Sequence, residues 1–509
     1  MSNYPFLSRF VPKFTFITKI GVFVLAALLL QSCSEGHKVT QAKESETKPV
    51  ADILIQNVTA IDVKNGSRSG VNVLITGNII SGVYSVGDPN VQTAKTLIDG
   101  TGKYMIPGLW DSHVHLTFDD KVSGSMNRLF IANGVTSVRD TGGLLDLVLQ
   151  ARDKAKKEVS PNIYFAGPLL DGVPSVYKGD APGFPEIAKT VATPEQAVLA
   201  VDELAAAGAH LIKAYEMLSP DVFKAVIERA KYHNLPVTGH VPLSMTAIQA
   251  SAAGMNSMEH MRNLELACAA NEAELLEQRL QDLKNPNNKL GSQVRTHIHS
   301  TQRSQAVSNF DSVQCKELIS QLVKSQTWQV PTMALNMRAK TPYYADSEWQ
   351  KTYQGLPKLV AQDWIKTGNS VAAGLAEPSQ ETNKMMLHAD WQIAMLQRLV
   401  KAGVTIMAGT DTPIAFLTPG FSLHLELERL VEEGGMSPMQ ALEAATLTPA
   451  KYFNLQDTVG TIELGMMADM VLLDANPLQK IQNTTTIRAV FKAGELFNRK
   501  ALDQLLITD

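Results

Sequence analysis

Six residues of this chain have the types and spacing to form a metal cage: His113 and His115 in DSHVH, Lys213 in LIKAY, His240 in TGHV, His260 in EHM and Asp411 in AGTD. Each closes a short apolar run that reads as a β-strand. Residues i and i+2 of a strand point the same way, so His113 and His115 offer two imidazoles to one point. Imidazole and carboxylate together suit divalent cations, and a carboxylate beside a metal-activated water can both ligate and accept its proton. Asp411 is therefore the candidate proton acceptor of a hydrolytic reaction.

Lys213 needs its own explanation. A lysine ammonium at a buried strand end costs several kcal/mol unless it meets a carboxylate or loses its proton. A neutral amine can add CO2 to become a carbamate, whose two oxygens can bridge two cations. Lys213 can instead pair with Glu216 or reach solvent. Asp411 likewise has a plainer reading as a turn or helix-capping residue among Thr410, Thr412 and Pro413. His297 and His299 in RTHIHS repeat the His-x-His spacing, but no apolar strand precedes them, so they read as surface. Around the six, Tyr215 lies two residues beyond Lys213 and faces the same way, as a donor to a substrate carboxylate or a developing oxyanion, or as a wall. Arg139 and Asp140 either bind a substrate carboxylate or pair with each other. His424 lines the pocket or caps a helix. His37, His210, His233 and His388 are given no role.

Bringing these strand ends together requires a particular scaffold. Eight apolar runs, at 105–110, 135–139, 162–166, 210–214, 236–240, 256–260, 328–333 and 404–408, alternate with helical segments. That alternation predicts parallel strands and, with eight of them, a (β/α)8 TIM barrel over 106–455. Such a barrel displays its chemistry at the C-terminal strand ends, where the six residues fall. Two segments break the rhythm: about 268–325, rich in Glu, Gln, Lys and Asn, and about 338–385, with Tyr343, Tyr344, Trp349 and Trp364. Both follow strands on the site's side and read as helical insertions forming a lid or substrate walls. Short strands punctuated by Gly and Asn at 51–105 and 456–500 predict a small β-sandwich built from both chain ends, with a supporting role.

The chain has 509 residues, 45% hydrophobic and 19% charged, enough for one large core and a smaller domain. A net charge of −4 supplies no basic field, which argues against a nucleic-acid partner. Arg9, Lys13 and Lys19 precede an apolar run at 20–30 that is short for a permanent membrane span. Leu30-Gln31-Ser32-Cys33 then resembles a bacterial lipobox, so residues 1–33 read as a lipoprotein signal with Cys33 as the lipid-bearing residue. Ser34 rather than aspartate follows, so inner-membrane retention is not indicated, and the expected place is the outer membrane, facing the periplasm. Residues 34–50 read as a polar tether. Of the remaining cysteines, Cys268 and Cys315 are expected to be free or merely structural, because separation in sequence says nothing about distance.

PGLWDSHVH, the strand lysine Lys213, the further strand histidines His240 and His260, and AGTD together resemble the amidohydrolase superfamily in its binuclear form with a carboxylated lysine. GVTSVRDTGG and LHLELERLVEEGGMSPMQALEAAT are similar to its imidazolonepropionase-like and prolidase-like members. The resemblance implies two divalent ions, with zinc expected. It implies that His113, His115 and Asp411 hold the more buried ion, that His240 and His260 hold the other, and that a carbamate on Lys213 bridges them. It also implies attack by a metal-bridging hydroxide on the amide or peptide bond of a small molecule, such as a dipeptide or N-acyl amino acid, with Asp411 moving the proton. A cyclic-amide hydrolase or mononuclear deaminase on the same barrel is an alternative, and Lys213 weighs against the mononuclear form. A non-catalytic binding lipoprotein is a third reading, against which stands the complete ligand set. An oligomer is compatible with all three.

Overall fold

The computed structural model describes residues 50–287 and 289–507; the apolar run 20–30, Cys33 and the tether up to residue 49 lie outside the described residues. Among the described residues no helix is long and apolar enough to cross a membrane.

Alternating apolar and polar residues in the first described segment give strands with one buried face. These are β1 (Ala51–Asp62), β2 (Gly66–Thr76), β3 (Ile79–Ser85), β4 (Ala94–Asp99) and β5 (Tyr104–Pro107). β1 pairs antiparallel with β2, placing Ile53 opposite Ile75, and parallel with β4 and β5. Gly108 then leads directly into β6 (Leu109–Val114), which forms a parallel three-stranded sheet with β7 (Val135–Asp140) and β8 (Asn162–Phe165).

A second parallel sheet contains β9 (Leu169–Asp171), β10 (Ala188–Thr190), β11 (Ile212–Ala214), β12 (Val237–Gly239), β13 (Ser257–Glu259) and β14 (Trp328–Val330), in the order β10-β9-β11-β12-β13-β14. Every residue of β6, β7, β11, β12 and β13 is buried, as expected for parallel strands covered on both faces. Helices such as Pro194–Ala206 and Pro220–Tyr232 lie between them, each started by a side-chain cap (Thr193, Ser219) and a proline in the first turn.

The barrel expectation holds in a coarser form, as an α/β fold of parallel strands alternating with helices. The segment 404–408 is not a strand. A single bridge joins Ile406 to Gln329 of β14, and another joins Thr412 to Val114 of β6. No ladder links β8 to β9 among the described residues. The reason near residue 408 is local: a Cβ on Gly409 would sit 2.8 Å from the His113 nitrogen, and the chain then turns at Asp411 with φ 71°. Close approach and a left-handed turn end the extended run early.

β15 (Met470–Leu473), β16 (Ile487–Lys492) and β17 (Glu495–Asn498) return to β5, with Met470 opposite Pro107. The strands of both chain ends thus pair in one branched eight-stranded sheet, β17-β16-β15-β5-β1-β2-β3 with β4 on β1, rather than in two separately paired sheets. Ile55, Val58, Val73, Met105, Met470 and Phe491 fill its own core.

The segment after β13 folds into helices Glu272–Lys284, Gly291–Ser308 and Ser312–Lys324. Cys268 and Cys315 are not free; they form a disulfide across 47 residues, with Cα atoms 4.2 Å apart. The bridge between Ala269 and Phe310, and the hydrogen bond from the Asp311 N–H to the Cys268 carbonyl, bring the two ends of the excursion together. After β14 come helices Lys358–Ala376 and Gln380–Lys401, with Tyr343, Tyr344, Trp349 and Trp364 packed around Phe416 and Phe421.

Candidate metal centre

The strand ends put five of the six residues, His115, Lys213, His240, His260 and Asp411, on the wall of one small chamber of about 40 Å³, with His113 directly behind. Donor atoms of His113, His115 and Asp411 lie within 4.8 Å of one another. Nε2 of His113 and Nε2 of His115 are each 3.2 Å from Asp411 Oδ1, and Nε2 of His260 is 3.8 Å from Oδ2. The His260 ring centroid is 4.6 Å from that of His113 and 5.0 Å from that of His240, so the two pairs of histidines share one space.

Each imidazole is oriented by its other nitrogen. Nδ1 of His113 meets Glu259 at 2.6 Å, Nδ1 of His115 the Gly142 carbonyl at 2.8 Å, Nδ1 of His240 Glu216 at 2.5 Å, and Nδ1 of His260 the Thr332 hydroxyl at 2.7 Å. Such partners fix the ring and leave Nε2 for a cation. The backbone is also constrained here: His260, Thr332 and Asp411 have φ of 62°, 47° and 71°. Left-handed φ at a non-glycine residue costs about 1–3 kcal/mol and persists only where the surroundings enforce it. The His260 N–H donates to Val330 and the Asp411 N–H to His113, both at 2.7 Å, which holds the turns.

Electrostatics sharpen the fit to cations. Burial pushes the Asp411 carboxyl up, but the adjacent His113 and His260 outweigh it and hold the group well below the usual carboxylate range. Burial lowers His240 to about 3 and His260 well below its ordinary value, keeping both neutral, the ligating form. Lys213 is brought down to about 8 by burial, and its amine has no hydrogen-bond partner among the described residues. Asp411 Oδ1 and His113 Nε2 are also buried without a well-aligned bond. The lone pairs of His113 Nε2 and Asp411 Oδ1, aimed at one chamber, are what a divalent ion would satisfy, and Lys213 could join them only after losing its proton.

Several sequence readings change. Lys213 does not pair with Glu216, which instead receives Nδ1 of His240, Arg262 at 3.3 Å, Arg295 at 3.2 Å and Nε2 of His299 at 2.6 Å. Burial would raise Glu216, but Arg295 and His299 hold it well below its usual range. His299 is thus buried in the wall of the site, while His297 stays on the surface. On a helix, Arg295, His299 and Arg303 recur every four residues and share one face; that spacing in RTHIHSTQR was the available signal.

Arg139 does not reach the chamber. It donates to Glu259 at 2.7 Å and to the Ser112 carbonyl, and its partner is not Asp140, which accepts from the Leu116 N–H at 2.7 Å. Arg139 is turned inward beneath the strand ends because Glu259 is fully buried there and needs a counter-charge. His424 lies away from the chamber, on helix Phe421–Glu432, bonded to Thr484 at 2.9 Å and to the Asn133 carbonyl at 3.1 Å. Its face of the helix packs on the segment Ile481–Thr485. Tyr215 does line the chamber, 4.4 Å from the His240 ring, beside Tyr177, which the sequence reading passed over.

The sequence profile of the amidohydrolase family matches residues 104–497. An ochratoxinase of Aspergillus niger is 25% identical over 480 residues, covering 84% of this chain and 82% of its own. In solved structures, A. niger ochratoxinase matches with a TM-score of 0.62 at 21% identity, over 88% of this chain and 96% of its own. A Xaa-Pro dipeptidase with methionine bound in its active site matches with a TM-score of 0.60 at 20% identity, over 88% and 99%. At these identities the structural likeness speaks for the fold.

Proposed function

The chain belongs to the amidohydrolase family and is a hydrolase of carbon–nitrogen bonds, and from that premise we propose that it cleaves the amide or peptide bond of a small molecule, a dipeptide or N-acyl amino acid, at a centre of two divalent cations. The observation that carries this reading is the convergence of three imidazoles, the Asp411 carboxylate and the orphaned Lys213 amine on one buried chamber, with His113 directly behind against Asp411. His113, His115 and Asp411 would hold one ion and His240 and His260 the other, with a carbamate on Lys213 between them; zinc suits these donors best. When bound, the cations would polarise the scissile carbonyl and acidify water enough for attack near neutral pH.

The chain's own residues do the rest. Asp411 accepts the proton of the attacking water and delivers it to the leaving nitrogen. Tyr215 donates to the oxygen that gains charge, or to a carboxylate next to the scissile bond. Lys213, half neutral near pH 8, is poised to take up CO2. A chamber of about 40 Å³ admits the reacting group alone, so the rest of the substrate extends outward. The dipeptidase among the structural relatives favours the dipeptide class. Lipid on Cys33 would place the enzyme on a membrane surface outside the cytoplasm, and Cys33→Ala would release it to the soluble fraction.

The test is a screen of the purified, metal-loaded protein against dipeptides and N-acyl amino acids, with elemental analysis. Hydrolysis that chelation abolishes, with about two metals per chain falling to about one in Lys213→Ala, is the expected result. An inert panel, with cyclic amides cleaved instead, would overturn the substrate class; one metal per chain regardless of Lys213 would overturn the binuclear centre.

A further inference from the structure

The chamber opens into a second cavity of about 590 Å³, the two sharing Tyr177, Arg262, Arg295, Asp411 and Ile414. The far wall carries Arg303 on helix Gly291–Ser308, Arg338, and Lys384 and His388 on helix Gln380–Lys401. None of these has a part in the hydrolytic chemistry described above.

The charges around this vestibule do not balance. Arg262 and Arg295 share one carboxylate, Glu216. Arg303 lies 3.4 Å from Glu265. Arg279, fully buried behind them, contacts Gln302 and Asn263 and has no ion pair within 4.0 Å among the described residues. Arg338 donates to the Leu335 carbonyl at 2.9 Å and likewise has no ion pair among the described residues. Five guanidiniums therefore face two carboxylates. The remaining lining groups do not restore neutrality: Asp411 adds one carboxylate, but it is turned to His113 and His115; Glu381 sits 3.9 Å from Lys384; and burial lowers His299 and His388 to about 3, so neither adds or cancels charge at neutral pH. A guanidinium withdrawn from water without its own counter-ion, as Arg279 is, is costly, and the forked N–H groups of the more accessible Arg303 and Arg338 match carboxylate oxygens in pairs. The missing anion has an open route from the scissile bond, through the wall shared with the chamber.

We propose that the vestibule binds a second anionic group of the substrate, a carboxylate remote from the scissile bond, through Arg303 and Arg338. The substrate class is then a dianionic amide, such as a dipeptide with an acidic side chain, a specification that rests on the hydrolase reading. Arg303 and Arg338 are specificity determinants here, acting on selection rather than on proton transfer.

The test compares Ala-Glu with Ala-Gln, and Glu-Ala with Gln-Ala, as substrates of the metal-loaded full chain. In at least one pair the carboxylate member is expected to exceed its amide by about ten-fold or more in kcat/KM, and the ratio to fall to about two-fold or less in Arg338→Gln and in Arg303→Gln. Because Arg303 also neighbours Glu265, the exposed Arg338 serves as the variant least able to disturb folding. Equal turnover of both members of each pair, or a preference untouched by both variants, overturns the proposal. If all four peptides are inert, it is the peptide reading that fails, and calorimetry with glutarate and its monoamide decides the vestibule. Glutarate binding about ten-fold more tightly, with that advantage lost in Arg338→Gln, supports it; equal binding overturns it.

Discussion

In the chamber, each candidate ligand stands at or just beyond the end of a parallel strand or in the turn that replaces one, and every imidazole has its second nitrogen tied by a neighbour. In the vestibule, the charged groups stand on helices that interrupt the strand–helix rhythm (Arg295, Arg303, Lys384) and on turns (Arg262, Arg338), and guanidiniums outnumber carboxylates. The first region is built to hold geometry; the second is built to hold a charge. Parallel strands joined by ladders and isolated bridges place ligand atoms with little freedom, which a metal centre demands. Inserted helices can vary away from their contacts with Glu216, so selection of substrate fits there. Glu216 is where the two regions meet, binding His240 on one side and Arg262, Arg295 and His299 on the other.

The largest effect is expected at Asp411, in the chamber. Asp411→Asn keeps the size and one oxygen that could ligate but removes the proposed proton acceptor, so kcat is expected to fall about 10³-fold or more while elemental analysis finds metal content unchanged. Near-normal turnover would move proton transfer to another residue. Glu216→Gln tests the joint between the regions. It leaves two arginines around a neutral amide, and a loss of about 3–5 kcal/mol in denaturant unfolding is expected, with weaker metal binding at the His240 side.

The disulfide ties together the two ends of the helical excursion that carries Arg295 and Arg303. Replacing both Cys268 and Cys315 by serine should lower stability by about 2–4 kcal/mol. Metal content should remain at the wild-type level, and coupled loss of metal would show that the inserted helices also support the chamber. The smallest effects separate two neighbours on one helix. His299→Ala removes a partner of Glu216 and should cost about 1–3 kcal/mol, whereas His297→Ala, on the exposed face, should stay within about 0.5 kcal/mol.

The chamber was largely legible in the sequence and the vestibule was not, for a physical reason. A strand alternates its side chains with period two, and an apolar run that stops at His or Asp announces a strand end, so His113, His115, Lys213, His240, His260 and Asp411 could be found one run at a time. A polar helix gives no comparable local signal. His297 and His299 differ by two positions, which a helix turns to different sides, and the neighbouring elements alone decide which side is buried. Arg139 pairs with Glu259, 120 residues away, a partner that no local pattern shows. Cys268 and Cys315 meet because the chain between them closes on itself, a fact of packing and not of spacing.

By itself the sequence determined the six candidate ligands, the alternation of strands and helices and the apolar strand ends, because these rest on residue type and local periodicity. Tertiary structure alone decided which nitrogen of each histidine is tied, that Glu216 gathers four partners, and that arginines from separate elements crowd one cavity. Those outcomes depend on distances between segments far apart in the chain, set only when the strands pair and the helices close over them.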